Sequence, residues 1–220
     1  MNRETRINNK LPLAREGFPF IFIGIGITVI FAFLGWTTLT VITSVITVFV
    51  IYFFRDPERH HPKEKNAVLT PADGRILEVK HVDEKDSPLG QPSIKVSIFM
   101  NVFNVHVNRI PIEGTIKKIA YHPGKFLSAD LDKASEQNEN NRITLETVDG
   151  REILVIQIAG LVARRIACWI DKGDTVKTGQ RFGLIRFGSR LEVFLPADSK
   201  IIAQVQQKVK AGGTVIGYLT

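Results

Sequence analysis

The stretch RFGLIRFGSRLEVFLP, residues 181–196, holds two strand-like runs, Phe182 to Phe187 and Leu191 to Leu195, with Ser189 between them. In the second run Leu191, Val193 and Leu195 alternate with Glu192 and Phe194. That period of two places one set of side chains on a buried sheet face. Outward from this stretch the pattern recurs at Ile94, Val96 and Ile98, and at Ile153 and Val155 with Ile156 and Ile158. Gly and Pro punctuate these runs at Pro71 to Gly74, Pro111 to Gly114, Pro123-Gly124, Asp149-Gly150, Asp171 to Gly173 and Gly212-Gly213. The rhythm predicts a mainly β fold, a barrel- or sandwich-like soluble domain with few short helices. Ile202, Val205 and Val215 are expected among its core strand positions, and the polar stretch Ser128 to Arg142 as a surface loop.

One segment breaks the rhythm. Phe18 to Phe54 carries no charge, and as one helix it would reach about 55 Å at 1.5 Å per residue, against a hydrocarbon core of about 30 Å. Two helices of about 17 residues, turning at Gly35-Trp36-Thr37-Thr38, fit better, which predicts an N-terminal hydrophobic α-helical hairpin. Basic residues flank both ends: Arg3, Arg6, Lys10 and Arg15 before, Arg55, Arg59, Lys63 and Lys65 after. Both ends are therefore expected on the cytoplasmic face of the cell membrane. A shallow hairpin or tilted helix lying in the inner leaflet satisfies the same charges. The chain thus divides into residues 1–54, a basic segment and membrane hairpin, and residues 55–220, one soluble domain.

The formal net charge is +7, but the cations gather around the apolar run and no nucleic-acid module accompanies them, so anionic lipid is the expected partner. A single cysteine, Cys168, excludes an intrachain disulfide and reads as a packing residue. No cluster has the spacing of a metal site, so none is expected.

Three segments join turn chemistry to reactive side chains: Thr70-Pro71-Ala72-Asp73-Gly74, Met100 to Arg109 with His106 at its centre, and Arg186-Phe187-Gly188-Ser189-Arg190. Each alone has a bland reading: a β-turn, a hydrogen-bonded structural histidine, and a bulge between strands. Together they supply a nucleophile, a base and a group to orient the base. Ser189 lies between strands rather than in the Gly-x-Ser-x-Gly elbow of a hydrolase, which points its hydroxyl at its own backbone. Arg109, Arg164, Arg165 and Arg190 are candidate phosphate ligands, because guanidinium forks match phosphate oxygens; a solvated basic face is the alternative.

With its neighbours, the Gly188-Ser189 segment resembles the self-processing site of phosphatidylserine decarboxylases. The resemblance extends to Phe54-Arg55-Asp56-Pro57, Tyr121-His122-Pro123-Gly124-Lys125-Phe126, and Gln157-Ile158-Ala159-Gly160 through Ala163-Arg164-Arg165-Ile166. It covers Phe53 to Thr220 and follows the shorter subfamily with Gly-Ser-Arg, where long members carry Leu-Gly-Ser-Thr. Those members often have two histidines where this chain has Phe103 and His106, which leaves a second proton carrier in the pocket open.

The resemblance implies that Ser189 attacks the Gly188 carbonyl, His106 accepts its proton and Asp73 fixes the histidine's tautomer. The cut would leave a β chain of residues 1–188 and an α chain of residues 189–220, paired as a heterodimer. The α chain would begin with a pyruvoyl group derived from Ser189, which forms a Schiff base with the substrate. The implied activity is conversion of phosphatidylserine to phosphatidylethanolamine and carbon dioxide. Another serine-bearing lipid such as archaetidylserine would meet the same chemistry, and a non-catalytic, membrane-tethered β-sandwich binding module is the reading from a different class.

Overall fold

The fold is that of a computed structural model in which residues 3–125, 137–160, 165–186 and 189–220 are described. A short helix α1 (Glu4–Ile7) and a turn of 3-10 helix (Arg15–Gly17) lead into α2 (Phe18–Phe33) and α3 (Thr37–Phe53). These two form the expected hairpin. Gly35 makes the reversal at φ +72°, a conformation that costs glycine little. Gly24 lets the helices close on each other, since a Cβ there would stand 2.6 Å from Thr47 Oγ1. Only Ile21 of α2 is buried, and Phe22 and Phe33 are 69% and 92% exposed. A helix apolar all round and open to its surroundings does not suit water. Arg15–Phe33 is long and apolar enough to cross a bilayer, and Thr37–Phe53 is shorter.

The rest is mainly β. The strands are β1 (Ala67–Leu69), β2 (Gly74–Val82), β3 (Ser93–Met100), β4 (Val107–Arg109), β5 (Gly114–His122), β6 (Asn140–Thr147), β7 (Glu152–Ala159), β8 (Ile166–Cys168), β9 (Thr175–Val176), β10 (Arg181–Ile185), β11 (Ser189–Pro196), β12 (Lys200–Ile201), β13 (Lys208–Val209) and β14 (Val215–Tyr218). Eight form one sheet in the order β13-β2-β3-β11-β7-β6-β5-β9, and two three-stranded sheets, β1-β14-β12 and β4-β10-β8, accompany it. The alternation seen in the sequence selects the faces. Val96, Ile98, Val155, Leu191, Val193 and Leu195 meet in the main core, while Leu154, Ile156, Ile158 and Phe194 form a smaller apolar cluster.

A further apolar cluster joins the hairpin to this body. Phe53 and Phe54, at the end of α3, are fully buried with Val105, Val107, Trp169 and Leu184. Asp56 follows immediately and is buried; it accepts from Arg181 Nε at 2.8 and 2.9 Å and from Asn9 Nδ2 at 3.1 Å. Arg109 completes the cluster of charges at 3.5 Å. The chain leaving the hairpin is thus tied to β4 and β10.

Three expectations need correction. Ile202 and Val205 are 45% and 53% exposed: β12 is two residues long, and the chain then turns through Gln206 at φ +71°, so no sheet face forms to bury them. The strand before Ser189 ends at Ile185 among the described residues. Asn140 to Arg142, assigned to a polar loop, begin β6, because Asn140 and Asn141 are buried between β5 and β7. Most of that expected loop lies outside the described residues.

Candidate active site

Ser189 is the first residue of β11, the strand held between β3 and β7. It pairs with Met100 on one side and Ala159 on the other and is fully buried. The residue before it, Gly188, lies outside the described residues. The serine hydroxyl donates to Met100 Sδ at 3.4 Å. A thioether is a weak acceptor, so this contact holds the hydroxyl loosely.

A line of buried amides runs up to the same sulfur. Asn141 Nδ2 donates to Gln157 Oε1 at 3.0 Å, Gln157 Nε2 donates to Asn108 Oδ1 at 2.8 Å, and Asn108 Nδ2 reaches Met100 Sδ at 3.9 Å. The last contact is long, which leaves the Asn108 amide one sulfur atom away from Ser189 with donor capacity to spare.

His106 precedes β4 and is fully buried. Its Nδ1 lies 2.9 Å from the Asn104 carbonyl oxygen. A carbonyl only accepts, so Nδ1 carries the proton and Nε2 presents a lone pair. That Nε2 is buried with no hydrogen-bond partner among the described residues. The ring of Phe53 packs on the imidazole at 4.1 Å between centroids. Burial, with a smaller contribution from the Arg55 charge and against the Asn104 bond, pushes the His106 pKa down to about 4. At neutral pH it is an uncharged imidazole with a free basic nitrogen.

Asp73 is buried in the turn before β2. One oxygen accepts from the Ala211 backbone N–H at 2.8 Å and the other from Arg59 at 3.0 Å. Burial raises its pKa, opposed first by Arg59. No hydrogen bond joins Asp73 to His106; the contact expected to fix the tautomer is made by the Asn104 carbonyl. The Arg55 charge nevertheless acts on both groups.

The four arginines separate. Arg109 is buried and donates to the Gly179 and Pro57 carbonyls. Arg190 points to the opposite face of β11 from Ser189, where Glu192, Ser97 and Glu78 hold it. Both have internal partners that compete with a phosphate. Arg165 is exposed, and Arg164 lies outside the described residues. Cys168 is half-buried and burial pushes its thiol pKa up, as suits a packing residue. Among the described residues no group of His, Cys, Asp and Glu is arranged to hold a metal.

Sequence reasoning missed Phe53, Met100, Asn104, Arg55 and Arg186 as neighbours of the site. All of these but Phe53 lie in segments already singled out, Phe54 to Pro57, Met100 to Arg109 and Arg186 to Arg190, but pattern alone could not say that an apolar helix ends against the histidine.

The sequence profile of phosphatidylserine decarboxylase matches residues 46–217. Among curated proteins, a phosphatidylserine decarboxylase proenzyme of Syntrophus aciditrophicus is 55% identical over 207 residues, covering 93% of this chain and 96% of its own. One from Desulfotalea psychrophila is 48% identical over 96% of this chain and 98% of its own, and one from Geotalea uraniireducens is 45% identical over 96% and 99%. Similarity of this depth runs through hairpin and sheet alike, and the chain belongs to the phosphatidylserine decarboxylase family.

Proposed function

We propose that this protein is a self-processing, membrane-associated decarboxylase that converts phosphatidylserine to phosphatidylethanolamine and carbon dioxide. The observation that carries the reading is the buried Ser189 at the head of a central strand, together with a buried, uncharged His106 whose Nε2 has no hydrogen-bond partner among the described residues. Names of the relatives point the same way, since each is a proenzyme.

In the first reaction Ser189 Oγ attacks the Gly188 carbonyl carbon and its proton passes to His106 Nε2. Asn104 holds the tautomer that leaves Nε2 available. Asp73 is the third member of the constellation that the family resemblance implies, its oxygens held by the Ala211 N–H and Arg59. The peptide N–C bond breaks as the ester C–O bond forms. β-Elimination then removes the Cα proton of residue 189 and breaks its Cβ–Oγ bond, releasing the residue 1–188 chain with a terminal carboxylate, and water adds to the remaining dehydroalanine and displaces ammonia, leaving the carbonyl.

The residues fit a pyruvoyl group at position 189: the backbone there is pinned by two strands, and the loosely held Asn108 amide meets the same Met100 sulfur as the Ser189 hydroxyl and can donate to a carbonyl there. Such a carbonyl, once bound to the substrate amine, supplies the electron sink that loss of carbon dioxide requires. His106 Nε2, once it has taken up a proton, can pass it to the carbon that has lost its carboxylate. Phe53 keeps water from the imidazole, and the hairpin brings the site to the lipid. The soluble domain would face the cytoplasm, in keeping with the basic flanks.

Intact-mass measurement tests this. The 24.7 kDa chain should yield two pieces, the smaller spanning residues 189–220 with a carbonyl at its start, and Ser189→Ala should leave one uncut chain. A single uncut wild-type chain that still decarboxylates phosphatidylserine would overturn the pyruvoyl route.

A further inference from the structure

Arg186 lies three positions before Ser189. It is half-buried, its guanidinium sits over the ring of Phe20 at 5.3 Å, and its Nε is buried with no hydrogen-bond partner among the described residues. No carboxylate there pairs with it. Glu16, the acid whose charge acts on it, uses Oε1 on Arg6 and the Trp169 indole N–H, and makes no ion pair with Arg186 among the described residues. Burial, and after it repulsion from a second guanidinium, that of Arg165, hold the Arg186 pKa below its usual value, only partly offset by Glu16. The Arg186 backbone N–H donates to the Arg165 carbonyl, so the two cations are fixed as neighbours. Two like charges, one desolvated and unpaired, are costly unless an anion joins them.

Position says which anion. Phe20 stacks on Phe54 at 5.7 Å, Phe54 meets Phe53 at 5.0 Å, and Phe53 lies on His106 at 4.1 Å. Arg186 and His106 therefore stand at two ends of one aromatic floor formed by the base of the hairpin. An anion on Arg186 would lie at the other end of this floor from His106, three positions along the chain from Ser189, and beside helices whose apolar sides are exposed.

We propose that Arg186, with Arg165, is the phosphodiester subsite for the phospholipid headgroup, the fork of Arg186 taking the phosphate oxygens while Phe20 backs the guanidinium. The subsite deepens the reading of Ser189 as the reacting centre and rests on it. Arg109 and Arg190 are excluded from the role by their internal partners.

The test uses the full-length chain in detergent with dihexanoyl phosphatidylserine as substrate, and dihexanoyl phosphatidic acid and inorganic phosphate as ligands that do not react. Arg186→Gln should raise KM and weaken phosphatidic acid binding together, by about tenfold to a hundredfold, the worth of a charge-assisted hydrogen bond, with little change in kcat. Arg186→Lys should recover part of the loss, and Arg165→Gln should show a smaller effect of the same kind. Appearance of the 189–220 fragment should proceed as in the wild type, since no phosphate takes part in the cut. Unchanged phosphatidic acid affinity in both the Arg186→Gln and Arg165→Gln variants would overturn the proposal, as would a loss confined to kcat. Inorganic phosphate binding more tightly than phosphatidic acid would make this a free-phosphate site and overturn the headgroup assignment. If the wild-type chain is never cut, the reading of Ser189 fails, while the binding arm still decides the role of Arg186.

Discussion

At the scale of single residues the site is defined by what its groups lack. His106 has one bonded nitrogen and one without a hydrogen-bond partner among the described residues, and its pKa near 4 sets two pH dependences. Self-processing should be independent of pH from about 5.5 upward and fall below that, with an inflection near 4 instead of the unperturbed value of about 6.5. A rate profile of fragment appearance that turns over near 6.5 would show that the imidazole is not held in this way. The stability consequence has a definite sign. The folded pKa is depressed, so between about 4 and 6.5 the unfolded chain binds the extra proton. The contribution is present above 6.5 and lost as pH falls towards 4, on the order of 3 kcal/mol in all. His106→Gln should flatten that part of the curve in urea titrations. Asp73→Asn should slow the cut about tenfold or more and strand the Arg59 charge. In Asp73→Asn/Arg59→Gln the stranded charge is gone; full recovery of the cutting rate there would reduce Asp73 to a neutraliser of Arg59. The sequence offered Asp73, His106 and Ser189 through residue type and resemblance. It could not offer the Asn104 carbonyl, because a backbone acceptor leaves no trace in residue identity.

Among elements, the junction between α3 and the sheet is where the sequence was least legible and the structure says most. The hairpin and the alternating strands follow from hydropathy period, a one-dimensional signal. That Phe53 and Phe54 end α3 inside the protein is a matter of packing, which only the folded structure shows. Asp56 anchors this junction, accepting from the buried Arg181 and lying 3.5 Å from Arg109. Asp56→Ala would leave two guanidiniums buried without their shared carboxylate and should cost about 3 to 5 kcal/mol, read as a lower denaturation midpoint. The variant should also expose Phe53, so acrylamide quenching of the nearby Trp169, 2% exposed in the intact fold, should increase. Loss of stability with Trp169 still protected would mean that the ion cluster stabilises β4 and β10 without holding the hairpin. Gly24 makes a smaller, separate prediction. A Val there meets Thr47 at the helix crossing and should splay α2 from α3, which cysteine cross-linking across the hairpin can follow.

For the whole molecule the decisive feature is where the proposed cut falls in the sheet order. Residues 189–220 supply β11 between β3 and β7, β13 beside β2, and β14 between β1 and β12. They also bring Leu191, Val193, Leu195, Val209, Ile216 and Leu219 to the main core. A break before Ser189 severs one covalent bond and leaves these pairings in place, since Ser189 already begins its strand. Removing the small piece would open two edges in the middle of the largest sheet and uncover six core side chains, each worth about 1.5 to 3 kcal/mol when buried. The two products should therefore co-elute in gel filtration in detergent without denaturant, and melt in a single transition by any probe placed on either piece. Denaturing electrophoresis should separate them. Recovery of residues 1–188 alone from a native column, still folded by circular dichroism, would show that the small chain is dispensable to the sheet and would remove the physical reason for a serine to be processed at that point. The alternation at Leu191, Val193 and Leu195 already placed this strand in the core. Its position between β3 and β7 required the long-range pairing that local periodicity does not encode.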